Sequence, residues 1–130
     1  DAVDCPDLVP VLTVLATAAS GTTHIVNAAR VRLKECDRLH AMAEELNKLG
    51  GRITEEPDGL IIEGTGQVHG GCVQAWNDHR IAMSLAVASQ IAEGPVQIDG
   101  AECVRKSYPR FWQDVAAMGG TYTEEAGSDE

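Results

Sequence analysis

The apolar positions near the start of the chain predict two helices that each end at glycine. Residues 8–19 form a continuous apolar run that fits a buried helix, since Pro10 falls in its first turn, and Ser20-Gly21 ends it. Residues 38–49 fit an amphipathic helix that stops at Gly50-Gly51, because apolar side chains recur there at spacings of three and four. Those apolar positions are Leu39, Met42, Leu46 and Leu49.

Short runs of β-branched and apolar residues predict strands between the helices. Residues 52–56 and 60–63 fit a hairpin, because the turn formers Pro57-Asp58-Gly59 separate them. Two further helices are predicted over residues 81–91 and 108–118. The remaining predicted strands are 22–27, 72–76, 96–99 and 121–123.

The order of these elements repeats along the chain. Residues 8–53 and 81–123 each run from an apolar helix through a glycine and a strand to a basic segment, an amphipathic helix, a Gly-Gly pair and a strand. We therefore predict two repeats, about 8–63 and 72–123, in one α+β domain over residues 1–123. Because a stacked repeat usually needs at least about three copies for stability, we expect a third unit to be absent from this chain.

Composition and charge narrow the class of protein. The net charge of −10 argues against a nucleic-acid-binding protein, because phosphate contacts need surplus Lys and Arg. Four cysteines without a CxxC pair indicate free thiols of a cytoplasmic protein, and neither a zinc site nor a disulfide scaffold. No apolar run is long enough to span a membrane, so no membrane partner is expected. The acidic residues 124–130 are expected to form a disordered tail, and a start at Asp1 directly before a helix signal indicates that the chain begins inside a longer protein.

Basic residues concentrate at the predicted helix starts, although the chain is acidic. Seven of the ten lie there, and each exposed cation at a helix N-terminus is unfavourable by about 0.3–1 kcal/mol. A bound phosphate or carboxylate would remove this penalty, because helix N–H groups and cationic side chains then face the same anion. The alternative is that the cations pair with acids such as Asp37 and Asp78, or face water. The seven are Arg30, Arg32, Lys34, Arg38, Arg80, Arg105 and Lys106.

Two carboxylates and one histidine accompany these cations in the sequence. Lys34-Glu35 fits either an acid/base pair or a solvated ion pair. Asp7 directly precedes the first helix, and this pattern alone favours helix capping over catalysis. His79 lies beside other candidate residues, but the four histidines show no metal-ligand spacing. No metal is therefore predicted. The glycine-rich segment 64–71 lacks the GxGxxG spacing of a dinucleotide site, so no cofactor is predicted either.

Four segments resemble, in the same order, motifs of the 5-enolpyruvylshikimate-3-phosphate synthases. Residues 32–39, RLKECDRL, resemble the RxKE(S/T/C)DR signature of that family, and residues 77–83, NDHRIAM, resemble its NDHRxAM segment. Residues 4–8 are similar to its PD segment and residues 106–112 to its K(S/T)(Y/F)P segment. The related UDP-N-acetylglucosamine enolpyruvyl transferases share the fold but lack the KE(S/T/C)DR and NDHR pair. Together the four segments span nearly the whole chain, which makes the resemblance specific.

The resemblance implies a fold and a reaction. The family fold has two domains, each an inside-out αβ barrel of βαβαββ units, so this chain would be a partial barrel with about two of the three units of one domain. Members move the enolpyruvyl group of phosphoenolpyruvate to the 5-hydroxyl of shikimate-3-phosphate in the shikimate pathway, release phosphate and use no cofactor. Because the active site lies between the domains, the N-terminal part of the enzyme would be the partner of this chain, and the chain alone would be inactive. Glyphosate, the family's inhibitor, would bind the same cations.

The resemblance also implies roles for individual residues. Asp7 matches the aspartate that takes the proton from the 5-hydroxyl, Lys34 matches the lysine near that hydroxyl, and Glu35 matches the glutamate that protonates phosphoenolpyruvate. Arg30 stands where some members have an asparagine that contacts shikimate-3-phosphate. The cations that match those holding phosphoenolpyruvate are Arg38, Arg80 and Lys106. An acid, a base and an electropositive cradle for the departing phosphate are what this chemistry needs.

Two other functions are compatible with the sequence. A stand-alone anion-binding or regulatory module on the same fold would bind phosphoenolpyruvate as the isolated chain. A purely structural repeat domain would leave catalysis by the full-length protein unchanged when Arg80 and Lys106 are replaced by alanine.

Overall fold

The apolar run near the start of the chain folds as a helix that satisfies its own buried hydroxyl groups. The computed structural model describes residues 1–2, 5–34, 36–106 and 110–117, with side chains for all of these except 105–106 and 115–117. After a 3₁₀ turn at Pro6–Leu8, helix α1 spans Val9–Ala18. The buried hydroxyls of Thr13 and Thr17 donate to backbone carbonyls one turn earlier, at 2.8 and 2.9 Å. The helix predicted over this run is confirmed, with slightly different ends.

Helix α2, at Arg38–Lys48, places its apolar stripe in the core. Burial of each large aliphatic side chain stabilises the fold by about 1.5–3 kcal/mol, and this is the main force that seats the helix. Asp37 caps its N-terminus, because the carboxylate accepts a hydrogen bond from the backbone N–H of His40 at 3.1 Å. The predicted basic loop before it contains a 3₁₀ turn at Ala29–Leu33. All four predicted apolar positions are fully buried: Leu39, Met42, Leu46 and Leu49.

Three strands form an antiparallel sheet in the order β1–β3–β2. Strand β1 spans Thr22–Ile25, β2 spans Arg52–Glu56 and β3 spans Gly59–Glu63. Glycine is required at position 59, because a Cβ there would lie 2.0 Å from the carbonyl oxygen of Ile25. Strand β1 ends at Ile25 and not at residue 27 as predicted, because Asn27 adopts a left-handed conformation with φ of 57° that turns the chain.

Two further strands pair in parallel across a helical connection. Strand β4 spans Gly71–Gln74, helix α3 spans His79–Ala88, strand β5 spans Val96–Asp99 and helix α4 spans Phe111–Ala117. Helix α3 begins two residues before the predicted 81, because the Asp78 carboxylate caps it by accepting from the backbone N–H of Arg80 at 2.9 Å. Its predicted last turn is a 3₁₀ turn at Ser89–Ile91, and the predicted strand 96–99 is confirmed.

Helices α1, α2 and α3 pack against one another, and α2 also packs on strands of both sheets. This arrangement is the mixture of helix and sheet that the sequence predicts. The predicted strand at 121–123, the acidic tail 124–130 and parts of the predicted helix at 108–118 lie outside the described residues. Every helix in the described part of the chain is too short or too polar to cross a membrane.

Candidate anion-binding and catalytic site

Three cations from separate parts of the chain meet at the carboxylate of Asp7. Asp7 lies in the 3₁₀ turn before α1, and its Oδ1 is 3.2 Å from Nη1 of Arg38 and 3.7 Å from Nζ of Lys34. Its Oδ2 is 3.8 Å from Nη2 of Arg80, the second residue of α3. The fold therefore brings together four of the residues that the sequence singled out.

Asp7 does not cap helix α1, so the capping interpretation is wrong. The N-cap residue is Leu8, and no side-chain hydrogen bond caps this helix. Asp7 lies one residue earlier, inside the 3₁₀ turn, where its carboxylate faces the cations and not the first N–H groups of α1.

Arg38 is held by a buried carboxylate on its other edge. The Asp78 carboxylate accepts from Nε of Arg38 at 2.7 Å and from Nη2 at 3.1 Å, with only 2% of the Arg38 side chain exposed and none of the Asp78 side chain. Burying two charges is costly, and the planar, bidentate geometry is what offsets that cost. Burial opposes the charged form of Asp78, but the hydrogen bonds and charge of Arg38 outweigh it and hold the pKa of Asp78 below its usual value. Asp78 thus fixes the direction in which Arg38 points toward Asp7.

A strained turn directly precedes Asp78 in the chain. Trp76 and Asn77, the two residues before it, both have left-handed backbones, with φ of 59° and 51°. This conformation costs about 1–3 kcal/mol for a residue other than glycine, although asparagine tolerates it better than tryptophan. Such strain persists where surrounding contacts determine the conformation, and here it lets Asp78 cap α3 and reach Arg38 on α2 at the same time.

Cys36 is a neutral hydrogen-bond donor at the same pair. Its Sγ lies 3.4 Å from Oδ2 of Asp78. Burial, together with the charge of Asp78, raises the pKa of Cys36 to about 12. A thiol with this pKa is protonated at neutral pH, so Cys36 serves as a weak donor to Asp78 and not as a nucleophile.

The cluster is positively charged although the protein is acidic. Its described side chains are the cations Lys34, Arg38 and Arg80 and the carboxylates Asp7 and Asp78, which gives +3 − 2 = +1. Arg80 is 39% exposed and Lys34 is 28% exposed, so both can turn toward a ligand. The partly accessible Lys34 and Arg80 suit an anion with two charged groups, and the buried Arg38–Asp78 pair lies beside them.

Two arginines of the basic segment lie outside the cluster. Arg32 Nη1 donates to Asp37 at 2.7 Å and to Glu55 at 2.8 Å, and its other nitrogens bind backbone carbonyls of the β2–β3 turn. For Arg32 the pairing alternative is therefore correct and the anion-site interpretation is wrong. Arg30 is exposed, and no ion pair joins it to another described residue.

Two predicted site residues cannot be placed in this geometry. Glu35 and the side chain of Lys106 lie outside the described part of the chain. Within that part, no group of three or more histidine, cysteine, aspartate or glutamate side chains converges as a metal site. The pairing alternative also holds for Arg38, which binds Asp78. The sequence did not indicate that Asp78 would hold Arg38 by two hydrogen bonds across 40 positions while Nη1 of Arg38 reaches Asp7.

Comparisons with known proteins agree on one family. The family model described as EPSP synthase (3-phosphoshikimate 1-carboxyvinyltransferase) matches residues 1–115. The chain is 58% identical over 124 residues to the 3-phosphoshikimate 1-carboxyvinyltransferase of Clostridium acetobutylicum and 54% identical over 124 residues to that of Clostridium kluyveri. Each match covers 95% of this chain and 29% of the relative, so the chain spans less than a third of the length of these relatives.

Solved structures give the same result. One structure of EPSP synthase from Acinetobacter baumannii superposes with a TM-score of 0.82 at 39% identity, covering 86% of this chain and 27% of that one. A second structure from the same organism gives 0.80 at 34% identity, covering 89% and 27%. The fold is therefore a part, about a quarter, of the fold seen in those structures, as the motifs predicted.

Proposed function

Because the chain belongs to the EPSP synthase family, the 3-phosphoshikimate 1-carboxyvinyltransferases, we propose that it forms part of the active site of such an enzyme. The proposed reaction moves the enolpyruvyl group of phosphoenolpyruvate to the 5-hydroxyl of shikimate-3-phosphate and releases phosphate. The observation that carries the proposal is the convergence of Lys34, Arg38 and Arg80 on Asp7 within 3.2–3.8 Å. Those are residues for which the motifs imply contact with substrate.

In this proposal the carboxylates move protons. Asp7 takes the proton from the 5-hydroxyl, whose oxygen then attacks the substituted carbon of phosphoenolpyruvate, while Glu35 gives a proton to the methylene carbon. Loss of a proton from the resulting methyl group and departure of phosphate complete the transfer. Asp7 is half exposed and lies 3.2–3.8 Å from three cations.

The cations hold the anionic substrates. Arg38 and Arg80, with Lys106, would bind the carboxylate and phosphate of phosphoenolpyruvate, and Lys34 would lie at the reacting hydroxyl. Charge develops on the departing phosphate, and fixed cations stabilise it without having to reorganise. Arg30 is accessible for a contact with shikimate-3-phosphate, and glyphosate would use the same cations.

The rest of the enzyme is proposed to complete both the fold and the site. Helix α1 and its N-cap residue expose three leucines at helical spacing, Leu8 at 48%, Leu12 at 38% and Leu15 at 55%, a stripe that suits packing against further polypeptide. We assign about 8–63 and 72–123 to two of the three repeats of one barrel domain, with the N-terminal part of the enzyme as partner. The isolated chain is then inactive, because the cleft lacks its second side. All four cysteines lie outside any disulfide, which fits the reducing cytoplasm.

A chimera tests this function. The chain replaces the matching 124-residue segment of the Clostridium acetobutylicum relative, to which it is 58% identical, and phosphate release is measured with phosphoenolpyruvate and shikimate-3-phosphate. We expect turnover by the chimera and none by the isolated chain. Asp7→Asn should lower kcat by about 10²–10⁴-fold, because a general base is lost.

The matched control is Asp58→Asn, the same change at an exposed aspartate of the β2–β3 turn, which should leave kcat unchanged. A folded chimera without turnover, or one whose kcat is indifferent to Asp7→Asn, would contradict the proposal. Near-native affinity of the isolated chain for phosphoenolpyruvate would favour the alternative, a stand-alone anion-binding or regulatory module.

A further inference from the structure

Glu45 is a buried carboxylate for which the proposed chemistry has no use. It lies in α2 with 1% of its side chain exposed. Its Oε1 accepts from the backbone N–H of Gln74 at 3.0 Å and from Lys48 Nζ at 2.9 Å. Its Oε2 accepts from Nε1 of Trp76 at 2.8 Å. A buried carboxylate with three donors is a strong attachment point between two segments.

The segment that Glu45 holds is the one that carries Asp78. Arg38 and Glu45 are seven residues apart on α2, which places them two turns apart on one face of the helix. Arg38 binds Asp78 at one end of the segment 74–78, and Glu45 binds residues 74 and 76 nearer the other end. One helix face thus fixes this connection at two separated points.

The strained turn consists of Trp76, which Glu45 holds, and Asn77, which lies between Trp76 and Asp78. Trp76 and Asn77 have φ of 59° and 51°, and Asn77 is exposed, so its side chain adds little to the packing of the turn. The Trp76 indole is the anchored part, since it bonds to Glu45, and the His40 ring lies edge-on to it at 5.6 Å. A left-handed tryptophan is stable only where its surroundings determine its conformation, and the bond to Glu45 is the directional contact that does so.

We propose that Glu45 is a positioning residue that acts through Trp76 and the strained turn to set Asp78, and through Asp78 the guanidinium of Arg38. The consequence for catalysis rests on the proposed function above, whereas the effect on Arg38 does not. Loss of the Glu45–Trp76 bond lets the turn relax, so that Asp78 and Arg38 lose their fixed register.

The first test reads Arg38 directly in the 130-residue chain. Hydrogen exchange of the Arg38 Nε–H, followed by ¹⁵N NMR, reports its hydrogen bond to Asp78. We expect Glu45→Gln to speed this exchange by about tenfold or more, because an amide cannot accept from both Gln74 and Trp76 with the same geometry. Glu44→Gln is the matched control, the same change at the adjacent exposed position of α2, and should leave the exchange unchanged.

The second test uses the active chimera. Glu45→Gln should raise the KM for phosphoenolpyruvate by about tenfold with kcat changed by less than about threefold, because displaced cations weaken ground-state binding. In an Arg38→Lys background the same change should have little further effect on KM, since both changes disturb one unit.

The outcomes separate the two proposals. A folded chimera without turnover counts against the proposed function, and the exchange measurement still decides the positioning role. Exchange at Arg38 that matches Glu44→Gln, or a KM effect that multiplies with Arg38→Lys, would overturn that role even if Glu45→Gln lowers the melting temperature. Where Glu45→Gln does not fold, Trp76→Phe removes the indole N–H donor together with part of the ring, and an unchanged Arg38 exchange rate in that variant would also refute it.

Discussion

Arg32 and Arg38 lie in the same short basic stretch but are bound in different ways. Arg32 is 24% exposed and donates to two carboxylates and two backbone carbonyls, which together use Nε and both Nη nitrogens. Arg38 is 2% exposed, and its Asp78 partner covers one edge while Nη1 points to Asp7 in the cluster. Arg32 thus joins the β2–β3 turn to the N-terminus of α2, whereas Arg38 contacts a carboxylate of the cluster.

The difference shows that the number of cations near a helix start does not measure how many can bind an anion. A guanidinium whose donors are all satisfied gains little from a ligand, because it must give up an existing partner. All three nitrogens of Arg38 are engaged as well, but the partner of its Nη1 is the half-exposed Asp7, so a ligand there would compete with an accessible carboxylate while Asp78 keeps the guanidinium oriented. Four predictions test whether the two arginines differ in this way.

Removal of Asp78 should cause the largest loss. Asp78→Ala leaves Arg38 buried without its bidentate partner, which should lower the free energy of unfolding by about 3–5 kcal/mol. Glu55→Ala removes one exposed partner of Arg32 and should cost less than about 1 kcal/mol. Urea unfolding of the 130-residue chain measures both. Equal losses would mean that the two arginines are held in the same way.

Exchange of arginine for lysine should separate the two positions in function. Lysine cannot reproduce the bidentate contact, so Arg38→Lys in the chimera should weaken the stabilisation of the transition state by about 2–3 kcal/mol. The value of kcat/KM for phosphoenolpyruvate should therefore fall roughly 30- to 150-fold. Arg32→Lys should change kcat/KM by less than about twofold, because Arg32 does not face the cluster. Steady-state kinetics with both substrates checks this, and a comparable loss at Arg32 would contradict the assignment.

The thiol of Cys36 should add a smaller amount to the buried pair. Cys36→Ala removes a donor to Asp78 and should lower the free energy of unfolding by about 1 kcal/mol. Cys36→Ser keeps a donor at the same place and should be close to neutral. The comparison uses the same urea titration with Cys72→Ala, at an exposed cysteine, as the reference. If Cys36→Ala is no worse than Cys72→Ala, the thiol adds nothing to the pair.

The smallest effect is expected from His40, which shares its partner Glu55 with Arg32. This effect should depend on pH. The hydrogen bond to Glu55 raises the pKa of His40 above its usual value. A raised folded-state pKa stabilises the protein below the unfolded value of about 6.5, and this stabilisation is lost as the pH rises through the folded-state pKa. Because the pair is partly exposed and screened, the loss between about pH 6 and pH 9 should be only a few tenths of a kcal/mol. His40→Gln should abolish that part of the pH dependence of the urea midpoint, and an unchanged profile would exclude the pair as its source.

The local elements and the family can be recognised from the linear order of the residues alone. The spacing of Leu39, Met42 and Leu46 sets which face of α2 is buried, and the turn formers Pro57-Asp58-Gly59 set the hairpin. These features depend on neighbours a few residues away, so they can be predicted from a linear pattern. The motifs around Lys34 and Arg80 indicated the family, because several of them occur in order.

Which carboxylate each cation binds depends on the tertiary structure. Arg38 binds Asp78 across 40 positions and Asp7 across 31, whereas Arg32 binds Asp37 five positions away. All three carboxylates carry the same charge in the sequence, and a linear pattern cannot rank partners that the fold brings together. Asp7 faces Arg38 and does not cap its helix, and the backbone at Trp76 is left-handed beside Glu45, because contacts with residues distant in the sequence outweigh the local preference of a single residue.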